Sequence, residues 1–120
     1  MYYLCIMDNK RNIIHYGSYF PTFYESLELG AKRKVAYILD MLKTQMRLSE
    51  KFVKFIKEGL YELRAEYNGN IYRVFFIFDD GNIVVLFNGF QKKSQKTPAN
   101  EIKKALEIKK DYLTWKKNNK

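Results

Sequence analysis

Residues 60–90 read LYELRAEYNGNIYRVFFIFDDGNIVVLFNGF, and the period of their apolar residues decides the fold. From Leu60 to Tyr67 the alternation is two. Tyr61, Leu63, Ala65 and Tyr67 point one way, and Leu60, Glu62, Arg64 and Glu66 the other, as in a strand lying on a core. Asn68-Gly69 is the strongest short hairpin signal, because both residues tolerate the positive φ of a type I′ turn. Ile71 to Phe78 is apolar on both sides except at Arg73, and Asp80-Gly81 supplies a second tight turn into Ile83 to Phe90. The stretch predicts a three-stranded antiparallel meander.

Two-residue loops at both turns would fix the register. Arg64 then lies opposite Arg73, and Arg73 opposite Asn88, so that the three form one polar row. Glu62, Phe75 and Leu86 flank the row on one side, and Glu66, Ile71 and Phe90 on the other. The opposite face takes Tyr61, Leu63, Ala65, Tyr67, Tyr72, Val74, Phe76, Phe78, Ile83, Val85 and Phe87, and is expected to carry the helices. Two arginines directly opposite each other repel, and Glu62 and Glu66 offset this only in part. Two readings stand: an Arg/Glu salt-bridge ladder on a solvated face, or a site where a phosphate sits between two guanidinium forks.

Upstream, residues 2 to 7 are aromatic and branched enough for a short strand, Asp8-Asn9-Lys10 reads as a turn, and a second strand is expected at about Asn12 to Tyr16. Phe20-Pro21 opens a helix with Phe20, Phe23 or Tyr24, and Leu27 on one face, ended by Gly30. Val35, Ile38, Leu39, Leu42 and Met46 mark a longer amphipathic helix. Ser49 is a fair N-cap for a short third helix carrying Phe52, Val53 and Ile56, with Gly59 at its end. Downstream, Thr97 can cap a helix with Pro98 at its first position. Ile102, Ala105, Leu106, Tyr112 and Leu113 form its apolar side. Residues 115–120 read as a frayed tail.

The chain has 120 residues, nearly half of them apolar, enough for one domain with one core. Its lone cysteine, Cys5, excludes an internal disulfide, and no Cys/His spacing suggests a metal. No run approaches the roughly 18 apolar residues of a membrane helix, so a cytoplasmic protein is expected. The net charge of +9 is uneven. Residues 1–90 carry twelve Lys/Arg and ten Asp/Glu, whereas residues 91–120 carry ten lysines and three acids. Charge concentrated in this way favours a polyanionic partner.

Three segments together carry a family signature: Gly59-Leu60-Tyr61-Glu62-Leu63-Arg64; Tyr72-Arg73-Val74-Phe75; and Gly89-Phe90-Gln91-Lys92-Lys93-Ser94-Gln95-Lys96-Thr97-Pro98 with Glu101, Ile102 and Ala105. The pattern resembles the RelE/HigB family, toxins of bacterial toxin–antitoxin pairs, and within it the phage-derived HigB-type branch. The resemblance spans roughly Asn12 to Tyr112 and leaves residues 1–10 as a possible N-terminal extension.

That resemblance implies an α+β domain in which an antiparallel β-sheet, the meander plus an N-terminal strand or hairpin, has helices packed on one face. It implies cleavage of mRNA in the ribosomal A site by attack of a ribose 2′-hydroxyl on the adjacent phosphate, without a metal or small-molecule cofactor. A cognate antitoxin, of helix-turn-helix type, is the implied partner beside the ribosome and mRNA, with no membrane involved. Arg64, Arg73, Lys92 and Lys93 are the catalytic candidates, with Arg73 first among them for stabilising the transition state. A lysine crowded by cations loses its proton more readily and can act as base or acid. Lys96, Asn88, Phe90, Gln95, Lys51, Lys54 and Lys57 are RNA-binding candidates. Asn88 and Phe76 stand where many relatives carry His and Tyr, and Asn88 cannot titrate, so proton transfer falls to a lysine, Tyr72, Tyr67 or substrate groups. His15, the only histidine, reads as a surface or packing residue. The alternatives are a non-catalytic RNA- or ribosome-binding module and a basic protein that binds an acidic partner.

Overall fold

The structure, a computed structural model, describes residues 10–92 and 97–119, with Lys92 described by its backbone alone. The expected strand over residues 2–7 and most of the N-terminal extension lie outside the described residues. In chain order the elements are β1 (Asn12–His15), α1 (Tyr19–Glu25), α2 (Leu29–Thr44), β2 (Val53–Lys57), β3 (Leu60–Tyr67), β4 (Asn70–Asp79), β5 (Ile83–Lys92) and α3 (Ala99–Asn118). They build an α+β domain around one five-stranded sheet of order β1-β5-β4-β3-β2, antiparallel except that β1 runs parallel to β5.

The first turn of the meander follows the sequence. Asn68 and Gly69 take φ of 54° and 81°, Tyr67 pairs with Asn70, and Arg64 falls opposite Arg73. The second does not. Asp79 pairs with Ile83, which leaves a three-residue loop in which Asp80 and Gly81 both take positive φ. One added residue moves every side chain of the following strand to the other face. Val85 and Phe87 therefore join Phe75 and Ile77, while Val84 and Leu86 join Val74 and Phe76. A β-bulge between the Phe76–Leu86 and Val74–Gly89 pairs adds a further residue, so Arg73 ends opposite Phe90 rather than Asn88.

β4 is apolar on both faces, a pattern that asks for cover on both. On one face Ala31, Val35, Ile38 and Leu42 of α2, with Phe20, Phe23 and Tyr24 of α1, pack on Leu63, Ala65, Val74 and Phe76. On the other, Ala105, Ile108 and Tyr112 of α3 pack on Leu60, Phe75, Val85 and Phe87. The expectation that the helices share one face holds for α1 and α2, whereas α3 crosses to the face that carries the arginines.

Three local expectations change. The segment after Ser49 is a turn and then β2, because a ten-residue helix with so few apolar residues cannot offset its nucleation cost, while the outer edge of β3 offers backbone partners. Gly59 survives as a punctuation mark: with Glu58 it makes a positive-φ hairpin turn, at 78° and 51°. Gly30 lies inside the first turn of α2, where a Cβ would come within 2.1 Å of the Tyr67 ring and hydroxyl, so its role is close approach and not a helix end. Met46 lies beyond α2 and is exposed.

The C-terminal tail is helical to Asn118. Lys116 bonds both oxygens of Asp79 at 2.8 and 2.9 Å and reaches Asp80 at 3.1 Å, and the Tyr112 hydroxyl donates to Asp79 at 2.6 Å. These bonds tie the last turns of α3 to the end of β4.

Candidate nucleic-acid interface

The site begins with the alternation of β3. Glu62 and Arg64 share a face, and the register of β4 sets Arg73 directly across from Arg64. Arg73 and Glu62 have no solvent exposure and the Arg64 side chain is 15% exposed. Glu62 stands between the two cations. One carboxylate oxygen lies 3.2 Å from Arg64 Nε, and the other lies 3.6 Å from Arg73 Nε and accepts the Thr97 hydroxyl at 2.6 Å. The Phe90 ring lies with its centroid 5.7 Å from the Arg73 guanidinium carbon and stacks on Phe75. Burial pushes the Arg73 pKa down, Glu62 opposes that shift, and Arg64 adds to it; the group remains a cation at neutral pH.

The cluster of two guanidinium groups and one carboxylate carries one net positive charge. A buried charge is tolerable only when paired; Glu62 lies within ion-pair distance of both arginines, and Arg64 is the nearer of the two to the surface. Beside Arg64 a hollow of about 150 Å³ is lined by Lys34, Lys51, Phe52 and Glu66. Lys34 comes from α2 and Lys51 from the turn before β2, so three elements bring cations to this edge of β3.

The structure places most of the expected site residues. Arg64, Arg73 and Phe90 lie together, and Lys51 borders Arg64. Lys54 lies across from Glu62 on β2 and is exposed. Lys57 is exposed, 3.8 Å from the Glu58 carboxylate, and lines a separate hollow with Ile102 and Leu106 of α3. Asn88 leaves the row: it falls in the bulge and is 2% exposed. The Lys92 backbone pairs with Ile71. Lys93, Gln95 and Lys96 lie outside the described residues. His15 is exposed, with Nδ1 3.0 Å from the Gly17 carbonyl, away from the arginines.

Sequence reasoning missed two members. Thr97 spends its hydroxyl on Glu62, and the residue preceding α3 is Pro98. Lys34 looked like part of the solvated face of α2. Glu62 had a signal, as the acid immediately before Arg64 on the same face of β3. Among the described residues no three His, Cys, Asp or Glu side chains gather as a metal site, and no helix is long and apolar enough to cross a membrane.

A mostly antiparallel sheet with helices before it and one long helix after it is the architecture of the RelE-like fold. A chain in the crystal structure of the archaeal RelE–RelB complex from Pyrococcus horikoshii OT3 is similar, with a TM-score of 0.51 and 15% identity over 72% of this chain and 99% of that one. The particular family comes from the sequence. A family model described as "Phage derived protein Gp49-like (DUF891)" matches residues 22–110, and the chain belongs to that family, a RelE-like toxin family. No curated protein matches.

Proposed function

We propose that this chain is the toxin of a toxin–antitoxin pair and cuts mRNA on the ribosome. The 2′-oxygen of one nucleotide attacks the adjacent phosphorus and the bond to the 5′-oxygen breaks. The 2′-hydroxyl proton passes to a base, and the leaving 5′-oxygen takes one from an acid, with no metal required. Arg64, at the mouth of the cluster, receives the phosphate and stabilises the charge that develops on its oxygens. Arg73, enclosed behind it, shares Glu62 with Arg64 and sets the local field. Lys92 and Lys93 are the proton-transfer candidates. Lys51, Lys54, Lys57, Gln95 and Lys96 contact the RNA backbone, which positions a strand without reading its sequence. A cognate antitoxin covers this basic surface, and the reaction places the protein in the cytoplasm.

The observation that carries this reading is the pair of arginines facing each other across β3 and β4 beside a lysine-bordered hollow. Inducing the chain in a bacterium and mapping mRNA 5′ ends tests it. New ends at codon boundaries are expected, with loss of at least a hundredfold in Arg64→Ala while circular dichroism stays native. Purified protein with ribosomes and mRNA should cut equally well with EDTA present. Growth arrest without new ends would overturn the nuclease reading.

One observation favours a second reading. Glu62 holds both arginines, as in a cluster that locks the sheet and the start of α3 together, and the protein would then bind RNA or the ribosome without cutting. The same experiment separates the two, since a binder arrests translation and leaves the message intact.

A further inference from the structure

α3 carries two stripes. Ala105, Ile108 and Tyr112 face the sheet and are buried. Lys103, Leu106, Lys110, Leu113 and Lys117 recur at alternating steps of three and four on the side turned away from them, which is the spacing of a seam that meets another helix. Among the described residues no element covers this seam: Leu113 is 44% exposed, and the three lysines are exposed. A hollow of about 580 Å³ runs along it, with Glu58 of the β2–β3 turn on the opposite wall. Lys109 holds that wall in place by donating a hydrogen bond to the Glu58 carbonyl. A smaller hollow of about 250 Å³ continues the trough past Lys103 and Leu106 to Ile102 and Ala99. From Ala99 to Lys117 the helix rises roughly 27 Å, about five turns.

Four lysines and two glutamates, Glu58 and Glu107, rim the larger hollow around Leu106 and Leu113. The surplus of positive charge favours an acidic partner. RNA fits poorly. No aromatic ring lines the larger hollow to stack a base, and the two glutamates interrupt the run of cations that a phosphate backbone follows. A second copy of the chain also fits poorly, because pairing the seam with itself packs ammonium groups together with no acid in the seam to meet them. We propose that the trough docks one amphipathic helix of an acidic partner protein. Apolar residues seven apart on that helix lie against Leu106 and Leu113, and carboxylates seven apart lie against Lys103, Lys110 and Lys117. The leucines supply the apolar contact. The lysines fix the register, since a slip along the seam sets each ammonium against an apolar side chain. This docking is independent of any chemistry at Arg64 and Arg73.

The test is an NMR titration of the full chain with a capped, alanine-based peptide of three heptads, carrying leucine at one seam position and glutamate at the other. The expected result is saturable one-to-one binding that moves the amides of Glu58 and of residues 99–117. A scrambled peptide of the same composition should bind at least about tenfold more weakly. Leu113→Asp, at an exposed position, should weaken the designed peptide as much. Lys110→Glu should weaken it too, until the matching glutamate of the peptide is exchanged for lysine, which restores binding; this charge swap decides alone if Leu113→Asp disturbs the fold. The proposal is overturned if the designed peptide moves none of those amides at millimolar concentration, if the scrambled peptide binds equally well, or if the charge swap restores nothing. A single-stranded oligoribonucleotide that moves the same amides and displaces the peptide would overturn it in favour of RNA. Concentration-dependent dimerisation with the same shifts would overturn it in favour of a second copy.

Discussion

At Glu62 a carboxylate without solvent exposure lies within ion-pair distance of two arginines and accepts the Thr97 hydroxyl. Replacing it by Gln keeps the shape and removes the charge, so the buried Arg73 loses one of its ion-pair partners. Removing one partner of a buried pair costs several kcal/mol, so Glu62→Gln should lower stability by about 3 kcal/mol, read from urea unfolding at pH 7. Thr97→Val should cost about 1.5 kcal/mol. An unchanged midpoint in Glu62→Gln would mean that the cluster is not the electrostatic unit described. The opposition of Arg64 and Arg73 was legible in the sequence, because Asn68-Gly69 sets it. The burial of Glu62 was not, because burial depends on what covers the face, and α3 comes from a distant segment that begins only at Ala99. Thr97 looked like a helix cap because Thr-Pro before an apolar helix ordinarily is one.

Among the elements, α1 and α2 are held by contacts of different kinds. α1 leans on β5 through Phe23 over Gly89. Gly89→Ala should push that ring away and cost about 2 kcal/mol, and in a Phe23→Ala background the same change should cost far less, a coupling that a double-mutant cycle measures. Equal costs in the two backgrounds would show that the close approach is not the constraint. α2 ends under Arg11, whose guanidinium donates to the Leu42, Gln45 and Met46 carbonyls and lies over the Phe78 ring. The Leu42 carbonyl is among the acceptors that the end of α2 leaves unsatisfied, and the Gln45 and Met46 carbonyls follow that end. Arg11→Met should therefore cost about 2 kcal/mol and speed amide exchange in the last turn of α2; native exchange there would refute the capping role. β2 was illegible for a related reason. Val53–Lys57 has no strong period of its own, and its pairing with β3 selects strand over helix, a tertiary choice that no window of sequence contains.

The whole molecule is a sheet with a core on each face, and its C-terminal helix is pinned at the far end by Asp79. Burial pushes the Asp79 carboxyl up, but the Lys116 and Tyr112 hydrogen bonds outweigh it, and its pKa lies below the usual carboxylate range. Burial and the Asp79 bond push Tyr112 up to about 12. The Asp79 and Asp80 bonds raise Lys116 above the usual lysine range. The depressed carboxyl stabilises the fold above its unfolded pKa and ceases to do so as pH falls through its folded value. The raised tyrosine and lysine stabilise it below about pH 10 and lose that effect as pH climbs past their unfolded values. The stability gap between the native chain and Asp79→Asn should thus be widest between about pH 5 and 9 and narrow on both sides. A gap that does not vary with pH would refute the clamp. The fold class was legible because the meander dominates it and periodicity is a strong signal. The second core was harder to see, although the apolar run of β4 on both faces contained the clue.

The long loop after Asp79 and the bulge at Asn88 act on β5 as a frameshift and its suppressor. The loop adds one residue and throws Ile83 to Phe87 into the phase that feeds the two cores. The bulge adds another and returns Phe90 to the phase of Arg73. One strand thus carries two reading frames, one for the cores and one for the residues around Arg73, and the joint between them is Asn88, whose amide has no hydrogen-bond partner among the described residues. Removing the residue that the loop adds would flip the phase of everything that follows, Phe90 as well as the core residues. Deleting one residue at the bulge would preserve the cores and turn Phe90 away from Arg73. Moving the joint along β5 would change which residue faces Arg73 without redesigning the sheet that holds it.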